Sequence, residues 1–421
     1  MDKISQCVQA LLNGNLDKAY KILNEVKNKG NDEEKSILAD ELSSLGFLEE
    51  ASELYKILVN KHPNRGDLLI SLSETLINFD QEEEALLYLH QIKSNDPSYI
   101  ESLLLQADLY QMQGLFEVSE QKLLEAEQLD PEEEVIQFAL AELYASIGRF
   151  SEAIYRYEIV LKETDEIGGI NIIERLAEVY SVSGEFEKAL KFYEEATKDR
   201  LDVNLLFGYG LTAFQAAQFQ TAIQKLEEVK SLDPDYESVY LPLAQSYEKE
   251  LDLNGAYKTV VEGTKINPYH KELKSFGGRI AIKLGKEEEA EGWLRDALSM
   301  DPIFIEALIT LSNLLLSQNR YEEVIELLEP IISEGDEDPY LLWDYAVANQ
   351  EEERFDEALN AYERAYSILK NNEEFLQNFG FFLLEEGNQQ RAVEIFKQLH
   401  EMDSGNIEYI DVLERLENHI S

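Results

Sequence analysis

Small residues recur along the chain about every 34 positions, each set among larger apolar ones. One series runs Ala19, Ala51, Ala85, Ala153, Ala189, Ala222, Ala256, Ala290, Ala358 and Ala392, with Ser119 and Val324 filling its two remaining places. Twelve residues ahead of it runs a second: Ala39, Ser73, Ala107, Ala141, Ala177, Gly210, Ala244, Gly278, Ser312, Ala346 and Gly380. Bulky residues follow the second series by three positions (Leu42, Leu76, Tyr110, Tyr144, Tyr180, Tyr247). Others follow the first by four (Tyr55, Leu89, Leu123, Tyr157, Tyr193, Leu226, Leu294, Leu328, Tyr362, Phe396). Steps of three and four return a side chain to one face of a helix. Each period thus predicts two helices, A then B, crossing at small residues, since axes close to about 8–10 Å only there. Self-similarity on this scale marks a one-dimensional stack of helical hairpins.

Punctuation agrees with the period. Gly14, Gly46, Gly114, Gly148, Gly184, Gly285 and Gly387 fall between A and B. Pro63, Pro97, Pro131, Pro234, Pro268 and Pro302 close their periods at one register, and Asp or Asn precedes the last five. Proline suits the first turn of a new helix and Asx can cap it, so we expect these pairs to open the next A helix. The register slips around residues 163–210, where two residues are added near Gly168-Gly169 and one is lost before Ala222. Gly208 and Gly210 then fall inside an A helix, where glycine costs about 1 kcal/mol relative to alanine. This stretch reads either as a change of pitch with a hinge between two halves or as an insertion absorbed by a tolerant loop.

The small-8, aromatic-11, small-20, bulky-24, proline-32 pattern of these residues resembles the tetratricopeptide repeat (TPR) family over residues 1–406. The resemblance implies an all-α fold: an α-solenoid of about twelve 34-residue units wound into a right-handed superhelix with a concave groove. Its expected parts are an N-terminal half (1–167), an irregular unit (168–203) and a C-terminal half (204–406). Residues 407–421 add a capping helix whose Ile407, Ile410, Leu413, Leu416 and Ile420 share a face. The whole chain also looks like a cytoplasmic TPR family of Bacillus-type bacteria without an assigned enzymatic activity.

Composition narrows the function. Eighty-five acidic against 37 basic residues give a net charge of −48, which disfavours direct contact with phosphate backbones or anionic membranes. No apolar run is long enough for a membrane span, and no secretory leader is recognisable at Met1–Cys7. Cys7 is the single cysteine, so no internal disulfide can form, in keeping with a cytoplasmic location. His62, His90, His270, His400 and His419 lie in separate units, which leaves zinc sites and nucleophile triads unsupported. Gly208-Tyr209-Gly210 and Gly277-Gly278 resemble phosphate loops only superficially, since Gly210 and Gly278 occupy small packing places. No cofactor and no active site are expected.

In the TPR family, positions 2, 5, 9, 12 and 13 of each A helix line the groove. Carried onto this chain, position 9 holds Asp40, Glu74, Asp108, Glu142 and Glu178, then Leu211, Gln245, Arg279, Asn313, Val347 and Phe381. Position 5 holds Ser36, Ile70, Leu104, Phe138, Glu174, Phe207, Leu241, Ser275, Ile309, Trp343 and Gln377. The first half is thus expected to present a carboxylate ladder beside an apolar strip, suited to a basic, amphipathic protein segment. Acidic residues as plain solvated surface are the competing reading. Phe207, Tyr340 and Trp343 are candidate aromatic anchors, with Arg279 and Phe381 on the same face. The family's clamp for acidic peptide tails needs cations where Ser36, Ile70, Leu104 and Phe138 stand, which argues against that ligand. Function therefore reads as a non-enzymatic scaffold or adaptor; the alternatives are a regulatory peptide sensor and, more distantly, an enzyme with an unrecognised site.

Overall fold

The computed structural model describes residues 3–198, 200–335 and 338–420, without the side chains of 417–420. Among them are 25 α-helices, and the chain divides into two compact units, Met1–Arg200 and Leu201–Ser421. The first unit is a stack of helix pairs from Lys3–Leu12 with Leu16–Lys29 through to Ile172–Val182 with Phe186–Ala196. The second runs in the same way from Val203–Gln215 with Phe219–Leu232 to Glu373–Glu385 with Gln389–Met402, and ends on Ile407–Ile420. Each A helix packs on its own B helix, and within a unit each B helix packs on the next A.

The small series does what its spacing predicts. Every member of the Ala19-to-Ala392 series is buried, Ser119 and Val324 included. The second series faces the bulky residue of the partner helix. A Cβ built on Gly210 would stand 2.7 Å from Leu226, one on Gly278 2.6 Å from Leu294, and one on Gly380 3.0 Å from Phe396. Glycine inside these helices therefore offsets its conformational cost by admitting a large neighbour. Leu226, Leu294 and Phe396 are fully buried in return.

The A-to-B turn repeats one geometry. Its left-handed residue is glycine at positions 14, 46, 114, 148, 184, 285 and 387, with φ from +70° to +83°. In the other pairs Asp80, Ala217, Leu251, Asn319 and Glu353 adopt the same conformation at φ of +56° to +63°. The following amide bonds back five residues, as in Phe47 to Leu42 O at 2.9 Å and Lys286 to Ala281 O at 2.9 Å. This is a Schellman closure, and it recurs in pairs that lack the glycine.

One expectation needs correction. The Asp/Asn-Pro pairs end one helix without capping the next. Asp130, Asp233, Asn267 and Asp301 are the C-terminal caps of their B helices, and the A helices begin downstream of the prolines. Asp96, Asp233, Asn267 and Asp301 accept the amide two residues on, a local Asx turn that outcompetes the longer reach to a helix start. Only at Asp338-Pro339 does proline open a helix, with Asp338 accepting from the Tyr340 and Leu341 amides. The described part of this all-α chain also carries one small sheet at the register slip. Glu166–Ile167 and Ile170–Asn171 pair antiparallel around Gly168 (φ +57°) and Gly169 (φ +83°). A two-residue hairpin turn of this hand needs positive φ at both central positions, which two glycines supply. Asn171 then caps Ile172–Val182 by accepting the Glu174 amide at 2.9 Å.

At the C-terminus, Tyr409 and Leu416 of the last helix are buried, with Leu413 packed against the same core and Ile407 exposed. The Ile420 side chain and Ser421 lie outside the described residues.

Candidate partner-binding face

The position-9 acids of the first unit fall into two groups. Asp40, Glu74 and Asp108 come from three successive A helices and line one cavity of about 460 Å³. Its other walls are Ser43, Ser44, Tyr55, Ser71, Thr75 and Asn78, with Ile77 and Leu105 as the apolar part. Helical spacing brings these residues together: 71, 74, 75 and 78 lie on one face of Gly66–Asn78. Ser43 and Thr75 hydroxyls meet at 3.4 Å across neighbouring helices.

Among the described residues no lysine or arginine pairs with Asp40, Glu74 or Asp108. Asp40 receives the Tyr55 hydroxyl, because Tyr55 stands at the bulky place of its own B helix. Glu74 and Asp108 face pairs whose bulky place is Leu89 or Leu123. Both carboxylates touch solvent, yet the cavity walls strip part of their hydration. That loss pushes both above the usual carboxylate range, and the charge of Glu101 adds to it at Glu74.

Glu142 and Glu178 share one cation instead. Arg175, one helical turn from Glu178, reaches Glu178 at 2.9 Å and Glu142 at 3.2 Å. Tyr157 donates a further hydrogen bond to Glu142. The ladder is thus three uncompensated carboxylates followed by a charge-paired segment.

The apolar candidates are less available. Ile70 is only 4% exposed and belongs to the core of the first unit. Leu104 and Phe138 are half-buried, Phe138 meeting Tyr157 edge-on at 6.2 Å. In the second unit Phe207 packs edge-on against Tyr236 at 5.1 Å. Trp343 sits against Phe375 at 5.7 Å and Phe381 against Phe396 at 5.3 Å, each half-buried. Tyr340 remains 45% exposed. Arg279 stacks on Phe276, and both it and Lys283 reach Glu248 on the preceding A helix. Sequence reasoning missed Tyr55, Ser71 and Thr75 as cavity walls, whereas Asn78 stands at position 13, one of the expected groove positions. Positions 6 and 10 of the A helices carry the missed signal once position 9 is placed.

Among the described residues no group of three or more His, Cys, Asp or Glu side chains is arranged to hold a metal ion, and no helix is long and apolar enough to cross a membrane.

Comparison with known proteins follows the same lines. The profile for YpiA-like tetratricopeptide repeats matches residues 111–165, and that for YpiA-like C-terminal tetratricopeptide repeats matches 339–404. General tetratricopeptide-repeat profiles match 175–237 and 281–342. A TPR repeat-containing protein of Dictyostelium discoideum is 29% identical over 133 residues, which is 30% of this chain and 51% of that one. Among solved structures, YrrB, described as a TPR protein with an unusual peptide-binding site, gives a TM-score of 0.39 at 18% identity, covering 44% of this chain and 95% of its own. The Cut9–Hcn1 assembly gives 0.41 at 14% identity, covering 97% and 94%. The TPR repeat-containing protein YpiA of Bacillus subtilis (strain 168) is 42% identical over 418 residues, 99% of each chain. The chain therefore belongs to the YpiA-like family of tetratricopeptide-repeat proteins, whose repeat is a protein-interaction fold.

Proposed function

We propose that the chain is a non-enzymatic, cytoplasmic adaptor that takes a basic, amphipathic protein segment across the A helices of its first unit. The observation that carries this reading is the convergence of Asp40, Glu74 and Asp108 on one cavity without a cation of the chain's own. Held above their usual range by lost hydration, Glu74 and Asp108 gain from an arriving ammonium or guanidinium what the fold itself does not supply. Ile77 and Leu105 offer apolar contact beside them, as an amphipathic segment requires.

The test is fluorescence anisotropy of a labelled peptide of alternating lysine and leucine, titrated with the full chain. Binding should saturate and weaken as salt rises past physiological strength, because charges about 8 Å apart become screened there. Lowering the pH should release the peptide before ordinary carboxylates protonate, since raised carboxyls lose their charge first. Binding insensitive to both salt and pH would remove the charge part of the reading. A glutamate–leucine peptide bound equally well would remove all of it.

A further inference from the structure

The second unit buries one carboxyl that the partner-binding face does not use. Asp344, in Pro339–Glu351, is 7% exposed and sits against Ser312 of the preceding A helix, Ile305–Ser317. Ser312 occupies a small-series place and is completely buried. Its hydroxyl lies within hydrogen-bonding reach of Asp344 Oδ2, and of the Ile309 carbonyl at 3.1 Å. Ile309 also takes the Asn313 side-chain amide at 2.8 Å.

A hydroxyl has one hydrogen to give, and here it has two acceptors. With Asp344 ionised, that hydrogen must turn to the carboxylate, which then holds a buried charge on one neutral donor with no cation paired to it among the described residues. With Asp344 protonated, the acid donates to Ser312 and Ser312 donates to Ile309, so both hydroxyl hydrogens have an acceptor. Burying an unpaired charge is far costlier than burying a hydrogen-bonded neutral acid.

The surroundings reinforce this. Four helices pack on Pro339–Glu351. Ile305–Ser317 brings Glu306; Tyr321–Ser333 brings Glu322, Glu323, Glu326 and Glu329; Phe355–Leu369 brings Asp356, Glu357, Glu363 and Arg364; Glu373–Glu385 brings Glu373, Glu374 and Glu385. All but Arg364 are acids. On its own helix the N-cap Asp338 acts directly on Asp344.

We propose that Asp344 is carried as the neutral acid in the folded second unit and forms, with Ser312, a proton-operated latch between successive A helices. Burial pushes the Asp344 carboxyl up to about 7; the Ser312 hydrogen bond opposes this, and the charge of Asp338 adds to it. A raised acid contributes its stability fully below its unfolded value near 3.9 and loses it as pH rises through the folded value. The second unit should therefore hold tightest in mild acid and loosen toward neutral pH. Trp343, the preceding residue, packs against Phe375 and would report the loosening.

Both tryptophans, Trp293 and Trp343, lie in the second unit, so urea unfolding followed by tryptophan fluorescence reads that unit alone. The comparison is wild type against Asp344→Asn, from about pH 5 to about pH 8. The expected result is a widening advantage for the variant, reaching at least about tenfold in its unfolding equilibrium and levelling above about pH 7. An advantage or deficit constant with pH would overturn the proposal. Should Asp344→Asn fail to fold, wild type labelled with ¹³C at aspartate carboxyls decides instead. One aspartate titrating near neutral in wild type, and moving higher in Ser312→Ala, is expected. All aspartates titrating in the ordinary acid range would overturn it.

Discussion

Replacing Tyr362 by alanine should destabilise the second unit by about 3–5 kcal/mol, the usual cost of removing a large buried aromatic. Tyr362 is completely buried at the bulky place of its B helix. Its ring lies 6.0 Å from Phe375, 5.2 Å from Phe379 and 5.1 Å from Phe382, all on the next A helix. Its hydroxyl donates to Gln350 at 3.0 Å. One side chain thus closes its own pair and joins that pair to the next. Tyr362→Phe keeps the rings and should lose only about 1 kcal/mol for the hydrogen bond. Urea unfolding by tryptophan fluorescence checks both. A cost below about 1 kcal/mol for the alanine variant would mean that the pairs are not coupled through this residue. Because neighbours in a repeat stack can unfold separately, the alanine variant should also broaden the transition.

Reversing Glu74 and Asp108 together to lysine should weaken capture of the lysine–leucine peptide by about tenfold or more at low salt. Each exchange replaces an attraction by a repulsion across a few ångströms, worth about 1 kcal/mol or more at partly screened positions. Neither residue has a cationic partner to lose, so folding should be unaffected, as circular dichroism would verify. Reversing Glu178 should change binding less, since Arg175 already pairs with that carboxylate. Equal losses at all three positions would point to the net charge of the chain and away from the cavity.

Much of the architecture could be read from residue spacing, and the reasons are local. Ala85, Ala153, Ala256 and Ala358 mark close crossings because only a small side chain fits there, and all four are buried. The turn was legible through its glycines, but Ala217, Leu251 and Glu353 adopt the same left-handed backbone without a composition cue. Tertiary closure imposes that conformation against their preference. The third B helix stops at Leu89, although its counterparts Leu48–Lys61 and Phe116–Leu129 run on for 14 residues. The Asp96 carboxylate there packs where a Cβ on Gly66 would stand, so the loop depends on a glycine 30 residues away in sequence. Such a dependence leaves no mark in the local pattern.

The candidate face was legible as a column of acids but not in its division. Whether Glu74 or Glu142 is compensated depends on Arg175 lying on a neighbouring helix and on tyrosine or leucine at the bulky place. Asp344 went unnoticed because a lone aspartate in an A helix reads as solvated surface in so acidic a chain. Burial against Ser312 is a property of the stack, set by two side chains 32 residues apart.

Amide hydrogen exchange of the full chain, with and without the lysine–leucine peptide, reads out whether the uncompensated acids of the first unit form the partner-binding face. Slowed exchange should concentrate in helices Asp32–Ser44, Gly66–Asn78 and Tyr99–Met112, which carry Asp40, Glu74 and Asp108. Protection spread evenly over the chain, or confined to the second unit, would contradict it.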